Sequence, residues 1–159
     1  MTANQIAKPR GVPSIVPFLN PLIRRLLRVG VPMGPNVLIT VRGRTTGEAR
    51  TFPVALMEIG DSKYVFATFG EVNWVRNLRA AGEAIVRLDG DERAMTAVEL
   101  TPDEAVPVMK AALGRFLASR MASQLLRRWY DLNPDSTDAD YLAEARRHPV
   151  FEFRDAGPA

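Results

Sequence analysis

The sequence of 159 residues contains no cysteine and only one histidine, His148. The lack of cysteine excludes disulfides, thiolate nucleophiles and zinc sites built on sulfur, and it fits a reducing cytoplasm. A single histidine also excludes the HExxH helix and every metal site that needs two histidines. We therefore expect no metal centre, and we expect the chemistry of this chain to depend on other groups.

The sequence also lacks a long apolar run. Arg24, Arg25 and Arg28 interrupt the longest candidate, which falls short of the roughly 18 residues that a membrane-spanning helix needs. The same arginines argue against a secretory signal, so we expect a cytoplasmic protein. With 47% hydrophobic and 25% charged residues, the composition fits one globular domain over 1–159.

Acidic residues are scarce in the first third of the chain. Residues 1–50 carry eight basic residues and one acidic residue, Glu48, whereas residues 51–159 carry 13 basic and 17 acidic residues. Such an asymmetry indicates a local anion-binding site. In the C-terminal half the basic residues alternate with acidic ones, without an aromatic-rich basic strand, so we do not expect nucleic-acid binding.

Turn and capping signals divide the chain into five segments. We predict a flexible arm over 1–13, an amphipathic helix over 14–30, a barrel core over 37–100, a helical region over 101–147 and a closing strand over 149–154. The strands follow one another through tight turns, which favours antiparallel pairing. The expected class is α+β, with a small barrel of about six mostly antiparallel strands and peripheral helices.

Local signals also predict where individual elements begin and end. Asn73 is the expected N-cap and Gly82 the expected stop of a short helix. The Thr-Pro-Asp-Glu sequence of residues 101–104 is typical of a capping box at the start of another helix. Pattern alone predicts a strand over 63–68, a polar loop over 133–140 and a helix over 141–147.

The turn between the first two strands is rich in groups that bind anions. It reads Gly-Arg-Thr-Thr-Gly-Glu-Ala-Arg over residues 43–50. Arg44 and Arg50 can donate paired hydrogen bonds to oxyanions, the hydroxyls of Thr45 and Thr46 can donate as well, and the glycines allow close approach of the backbone. An ordinary hairpin turn with solvated arginines explains the same pattern. The Gly-Lys-[Ser/Thr] ending of a Walker A loop is missing.

A second segment, 69–82, leads from the third strand into the short helix. Gly70 precedes the helix start, where free backbone N–H groups suit a flat polar ring or a phosphate. The simpler interpretation places Trp74 and Leu78 of this helix in the core.

In order and spacing, these motifs resemble the deazaflavin-dependent nitroreductase family, which comprises split β-barrel oxidoreductases that use coenzyme F420, chiefly in actinobacteria. The resemblance lies in the turn motif of residues 43–50, in Pro53, in the small-residue segment 67–70 and in the Trp-x-x-Asn-Leu-x-Ala motif of residues 74–80. The position of Thr45 is often lysine in that family, and the loop before Trp74 is shorter than in its best-known members.

The resemblance implies a coenzyme site of twelve residues. The phosphate and tail would be held by Arg44, Thr45, Thr46 and Arg50, the ring system would lie beside Pro53, Val54 and Ala55, and Ala67, Thr68, Phe69, Trp74 and Asn77 would complete the site. No catalytic acid follows from the resemblance. Tyr64, Tyr130 and Tyr141 are candidate proton donors alongside solvent, and we take Tyr130 as the first candidate.

By this resemblance, we expect a split-barrel enzyme that transfers a hydride from reduced coenzyme F420 to a small electron-poor substrate, such as an enone, a quinone or a nitro compound. The coenzyme supplies the hydride, so the protein needs neither histidine nor cysteine. Two alternatives stay open, namely an FMN-binding split-barrel flavoprotein and a non-catalytic carrier of the coenzyme or of a lipid.

Two further predictions concern partners. The apolar stripe of the 14–30 helix either caps the barrel or, with its arginines, contacts a membrane surface, which would make the protein membrane-associated. The stripe consists of Leu22, Ile23, Leu26 and Leu27. Split barrels of the resembled family often pair, so a homodimer is a further expectation.

Overall fold

The computed structural model describes residues 36–157, so the predicted arm over 1–13 and the predicted helix over 14–30 lie outside the described residues. In chain order the elements are β1 (Asn36–Arg42), β2 (Ala49–Ile59), β3 (Ser62–Phe66), α1 (Asn73–Ala81), β4 (Glu83–Leu88), β5 (Asp91–Glu99), α2 (Pro102–Leu117), α3 (Arg120–Leu126), α4 (Asp138–Arg147) and β6 (Val150–Asp155).

The six strands close into a barrel in the order β1-β2-β3-β6-β5-β4. Every pairing is antiparallel. The barrel closes between β1 and β4, where Ile39 lies opposite Val86. Strand β6 fits between β3 and β5 and completes the barrel. The predicted α+β class, a six-stranded antiparallel barrel with peripheral helices, is confirmed.

Alternation along the strands separates an inner core from an outer core. On β2, Val54 and Leu56 point into the barrel, whereas Met57 points outward against the helices. The buried residues of the inner core are Ile39, Val41, Val54, Leu56, Val65, Ala67, Val75, Leu78, Ala84, Val86, Met95, Phe151 and Phe153. The outer core joins the barrel wall to α2, α4 and the segment after α3 through Met109, Leu113, Tyr130, Tyr141 and their neighbours. Because each fully buried aliphatic or aromatic side chain contributes about 1.5–3 kcal/mol, the outer core fixes α2 and α4 against one side of the barrel.

Most of the predicted turns and caps are confirmed. Gly82 ends α1 with φ of +69°, and its N–H donates to the carbonyl of Leu78 at 2.8 Å. Asp89 and Gly90 both have positive φ in the β4–β5 turn, which matches the twist of a hairpin. Thr101 and its partner Glu104 form the predicted capping box at the start of α2.

Two predicted helix starts are wrong. The N-cap of α1 is Val72, without a side-chain cap, and Asn73 is the first residue of the helix itself. Helix α4 begins at Asp138 instead of Tyr141, because Thr137 and Asp140 form a second capping box within the stretch that we predict as a loop over 133–140.

Strand β3 ends at Phe66 instead of Thr68, and β6 begins at Val150 instead of Pro149. The N–H of Ala67 still donates to the carbonyl of Pro149 at 2.9 Å. Proline has no N–H with which to return that bond, so the ladder stops there and the carbonyl of Ala67 is released to accept from other groups.

Among residues 36–157, no helix is long and apolar enough to cross a membrane. The single-domain organisation over 1–159 stays a prediction.

Alanine substitutions at Gly82 and Gly114 are expected to change stability in opposite directions. Neither added Cβ would meet an atom within 4 Å, but Gly82 has φ of +69° and Gly114 lies inside α2. A left-handed conformation costs an L-residue roughly 1–2 kcal/mol, whereas Gly→Ala inside a helix gains about 0.5–1 kcal/mol. Urea unfolding should therefore show G82A destabilised and G114A stabilised. If both variants changed the free energy of unfolding in the same direction and by the same amount, the left-handed φ of Gly82 would not be what ends α1.

Candidate functional site

A polar cavity of about 250 Å³ lies between the β1–β2 turn and the start of α1. Its lining residues are Gly43, Arg44, Thr45, Thr46, Arg50, Phe52, Asn73 and Asn77. No carboxylate belongs to this lining, so the described side chains give the cavity two positive charges and no negative one.

The turn that forms one wall of the polar cavity is held by its own backbone. The N–H of Gly43 donates to the carbonyl of Glu48 at 2.8 Å, and the N–H of Gly47 donates to the carbonyl of Gly43 at 2.9 Å. A Cβ on Gly43 would lie 3.1 Å from Oγ1 of Thr46 and 3.2 Å from the Glu48 carbonyl oxygen. Gly47 has φ of +72°. The turn therefore favours glycine at position 47 through its φ, and at position 43 through the close approach of Thr46 and Glu48.

Asn77 fastens the turn to α1. Its Oδ1 accepts from the backbone N–H of Arg44 at 3.3 Å and from Nη1 of the same residue at 2.8 Å. The Asn77 side chain is buried, so these bonds are shielded from water and orient the Arg44 guanidinium. The Arg50 side chain is held less firmly than that of Arg44. It is half exposed, and its nearest contact with Glu48 is 3.7 Å long. Exposed pairs of that kind contribute at most about 1 kcal/mol, and an anion can displace Glu48.

A second, apolar cavity of about 240 Å³ lies between the barrel wall and helices α2 and α3. Its lining residues are Ala55, Met57, Phe66, Thr68, Leu113, Phe116, Ala122, Leu125, Leu126, Trp129 and Tyr130. Ala55 and Met57 belong to the outward face of β2, which places this apolar cavity along the same strand that carries Arg50 at its beginning.

Thr68 and Tyr130 supply the hydroxyl groups of the apolar cavity. The Tyr130 hydroxyl donates to Oγ1 of Thr68 at 3.3 Å. Burial raises the pKa of Tyr130 to about 12, and the bond to Thr68 opposes that shift. The phenol is consequently protonated at neutral pH, and it is available as a hydrogen-bond or proton donor.

Behind Tyr130 lies a buried cluster of ionisable side chains. The His148 ring is 4.4 Å from the Tyr130 ring, centroid to centroid. Its Nδ1 is 3.2 Å from the carbonyl oxygen of Ala67, and since a carbonyl only accepts, Nδ1 carries the proton of that bond. Nε2 of His148 is 3.2 Å from Oε2 of Glu144, whose other oxygen contacts Arg147. Both His148 and Glu144 are 1% exposed.

The pKa of His148 is lowered mainly by burial. The charge of Arg147 acts in the same direction, whereas the hydrogen bond to the Ala67 carbonyl opposes it. With Arg147 already beside the Glu144 carboxylate, a second cation in this cluster would be poorly compensated. We therefore assign the neutral imidazole to the folded protein near neutral pH.

The twelve predicted coenzyme residues do not all line one cavity in the structure. The polar cavity receives Arg44, Thr45, Thr46, Arg50 and Asn77, and the apolar cavity receives Ala55 and Thr68. The side chains of Val54 and Ala67 belong to the inner core, so they face neither cavity. Pro53, Phe69 and Trp74 lie outside both linings. The Phe69 ring meets the edge of Trp129 at 6.0 Å, and the Trp74 ring packs 6.2 Å from Phe151.

The candidate donor Tyr130 lines the apolar cavity, whereas Tyr64 and Tyr141 pack against the outer core and do not line it. The sequence interpretation missed the contribution of α2 and α3 to this cavity, as well as Phe52 and Asn73 in the polar cavity. The helical spacing of Leu113, Phe116 and Leu125 indicates an apolar face but not what that face covers. Among residues 36–157, no cluster of three or more potential ligands is arranged for a metal ion.

Comparison with known proteins identifies relatives of this arrangement. A family model described as F420H(2)-dependent quinone reductase matches residues 26–121. A solved structure described as a domain-swapped dimer is 20% identical with a TM-score of 0.52, over 84% of this chain and 95% of that chain. Another, described as an F420-H2 dependent reductase (FDR-A), is 23% identical with a TM-score of 0.49, over 76% of this chain and 94% of that one. No curated protein matches.

The neutral, buried state of His148 predicts that acidification destabilises the fold. Its pKa is 6.5 in the unfolded chain and lower in the folded one, so between these values the unfolded chain binds more protons. The free energy of unfolding should then fall as pH is lowered from about 7 through 6.5. His148→Gln, which does not titrate, should lose this part of the pH dependence in urea unfolding at pH 5 and pH 8. If acid stabilised the unchanged chain relative to the variant, Glu144 would be holding a charged imidazole.

Proposed function

This chain belongs to the F420H(2)-dependent quinone reductase family, and from that membership we propose that its acceptor is a quinone-like molecule bound in the apolar cavity. Membership makes the chain an oxidoreductase whose coenzyme is F420. The observation that carries the proposal is the presence of two complementary cavities along strand β2, one basic and one apolar. Enones and nitro compounds are the other flat, electron-poor acceptors that such a cavity suits.

The polar cavity fits the anionic part of the coenzyme. Coenzyme F420 has a phosphate and a glutamate tail, and the cavity offers guanidinium and hydroxyl donors without a carboxylate in its lining. We assign the phosphate to Arg44 and Arg50, with Thr45 and Thr46 donating from the turn. Asn77 acts by holding Arg44 in place. The close packing around Gly43 keeps the turn backbone near the ligand.

Strand β2 joins the two cavities. Ala55 lies five positions after Arg50, which corresponds to about 17 Å along an extended strand. An elongated ligand anchored at the turn can therefore run along the barrel towards the apolar cavity. We propose that this cavity receives the acceptor and that its apolar lining excludes water from the reacting atoms.

When bound, reduced coenzyme F420 supplies a hydride, and the oxidised deazaflavin remains. A quinone that accepts this hydride also takes up one proton, giving a hydroquinone. We propose that the Tyr130 hydroxyl donates a hydrogen bond to the acceptor oxygen as negative charge develops, and then protonates it, with solvent restoring the phenol. For this step the phenol proton turns from Oγ1 of Thr68 to the acceptor, and the Thr68 hydroxyl can then donate to the tyrosine oxygen. The buried His148 ring supports the tyrosine ring from behind.

Binding and turnover experiments separate this proposal from its alternatives. The purified chain is titrated with coenzyme F420, FMN and FAD, followed by fluorescence. Tighter binding of FMN than of coenzyme F420 would favour the split-barrel flavoprotein. Reduced coenzyme is then mixed with quinones, nitroaromatics and enones in turn. The absence of turnover with every acceptor, at rates down to about 0.1 per second, would favour the non-catalytic carrier.

Three expectations from the sequence stay proposals. We propose one domain over 1–159, a homodimer, and a membrane contact or a barrel cap by residues 14–30. Analytical ultracentrifugation tests the dimer, and limited proteolysis tests the single domain. Flotation with liposomes after removal of residues 1–30 tests the role of the N-terminal stripe.

Arg44→Ala and Arg50→Ala should each weaken coenzyme F420 binding by roughly tenfold to a hundredfold, since a hydrogen bond to a charged group contributes about 1.5–3 kcal/mol. Rising salt should weaken binding to the unchanged chain. Arg93→Ala is the matched control, because Arg93 is an exposed arginine outside the polar cavity. Thr45→Lys, which restores the residue common in the resembled family, should tighten binding. If both arginine variants bind as the control does while remaining folded, the turn is not the phosphate site.

Tyr130→Phe should lower kcat roughly a hundredfold, in line with general acid catalysis contributing about 10²–10⁴, and it should leave the dissociation constant of the coenzyme nearly unchanged. Tyr141→Phe is the control, because Tyr141 lies in the outer core away from the cavity. Stopped-flow oxidation of the bound reduced coenzyme by a water-soluble quinone measures the step directly. An unchanged rate in Tyr130→Phe would assign the proton to solvent alone.

A further inference from the structure

Helix α3 exposes an apolar ridge to solvent. Met121 is 83% exposed and Leu125 is 52% exposed, although both are large apolar side chains. They lie four residues apart on a helix, so they share one face. Among the described residues, the other exposed large hydrophobics are Ile85 and Val98, which lie apart on the barrel strands β4 and β5 and are about half as exposed as Met121. A Met and Leu ridge of this kind is typical of a surface that meets an apolar partner.

The surroundings of this ridge are positively charged. Residues 114–130 carry four arginines and no acidic residue, whereas the rest of the described chain carries 12 basic and 18 acidic residues. All four arginines are exposed, and neither Arg120 nor Arg128 has a carboxylate partner within residues 36–157. Arg115 lies over the Phe116 ring at 5.1 Å instead of pairing with an acid. The ridge is thus an apolar strip bordered by cations on a body that is otherwise net acidic.

The ridge is also the outer edge of the apolar cavity. Ala122, Leu125 and Leu126 of α3 line that cavity, and Leu125 is exposed to solvent as well. A molecule that reached α3 from outside would therefore meet the cavity directly behind it.

From these observations we propose that α3 docks on an anionic lipid bilayer, with Met121 and Leu125 inserted among the acyl chains and the arginines at the headgroups. The acceptor would then pass from the lipid phase past α3 into the apolar cavity, which selects quinones with apolar tails. This last part rests on the proposed function, whereas the docking itself does not.

Other occupants of the ridge fit the charges less well. A symmetric contact between two copies through α3 would place four arginines against four arginines. Residues 1–35 carry five basic residues and no acidic one, so α3 would repel them too. A stable protein interface needs about 800 Å² and 20–30 residues on each side, whereas this ridge has two exposed apolar side chains. A bilayer requires only shallow insertion and anionic headgroups.

The docking is tested by co-sedimentation of the full chain with vesicles of equal parts phosphatidylcholine and phosphatidylglycerol. Met121→Ser should weaken vesicle binding roughly tenfold, from the loss of one inserted apolar side chain. Arg120→Gln and Arg128→Gln should each weaken it about fivefold, and added salt should reduce the difference. Val98→Ser is the matched control and should bind as the unchanged chain does, because its side chain lies on the barrel away from α3.

A second readout separates the docking from the proposed function. None of Met121, Arg120 and Arg128 lines either cavity, so coenzyme binding and the rate with a water-soluble quinone should be unchanged in these variants. The rate with a long-tailed quinone embedded in the vesicles should fall with vesicle binding. Failure of the coenzyme titration in the unchanged chain would overturn the proposed function and leave the docking intact. Vesicle binding that is equal in Met121→Ser and Val98→Ser overturns the docking, and so does a change of oligomeric state confined to Met121→Ser.

Discussion

Closure of the barrel between β1 and β4 is the constraint on which the rest of the structure depends. Once Ile39 and Val86 lie opposite each other, the six strands have no free edge in this sheet, and the inner core fills the barrel with the chain's own side chains. Both cavities therefore lie outside the inner core. One uses the turn at the end of β1 and the other uses the outer wall under α2 and α3. The barrel thus serves as a rigid support, and the turn and helices packed against it form the cavity walls.

Strand β2 contributes residues to both cavities. It begins at the basic turn with Arg50 and continues for 11 residues, past Val54 in the inner core and Ala55 in the wall of the apolar cavity. Because side chains alternate along a strand, one element contributes to the inner core and to the walls of both cavities. Arg50 lies on the same face as Val54, at the end of the strand that borders the polar cavity, whereas Ala55 on the opposite face borders the apolar cavity.

The features that could be predicted from sequence are those fixed by neighbours in the chain. The φ of Gly82 and the capping box at Thr101 depend on a few consecutive residues, and both are as expected. The same kind of signal exists at Thr137, but it lies within a polar stretch that is typical of a loop. The polar cavity was largely predictable, since five of its eight lining residues belong to the motif of residues 43–50. The apolar cavity was not, because Ala55, Thr68, Leu125 and Tyr130 are brought together only by tertiary packing.

The positions of Thr68 and Tyr130, the hydroxyl residues of the apolar cavity, depend on the missing N–H of Pro149. Pro149 accepts from Ala67 but has no N–H to return, so the Ala67 carbonyl is free to accept from Gly70 and from Nδ1 of His148. That bond fixes the imidazole with its ring 4.4 Å from the ring of Tyr130, and the tyrosine hydroxyl then meets Thr68, the residue next to Ala67. The only histidine of the chain is consequently a buried support with no direct contact to the apolar cavity. These contacts together hold one protonated phenol at a fixed place in the wall of an apolar cavity.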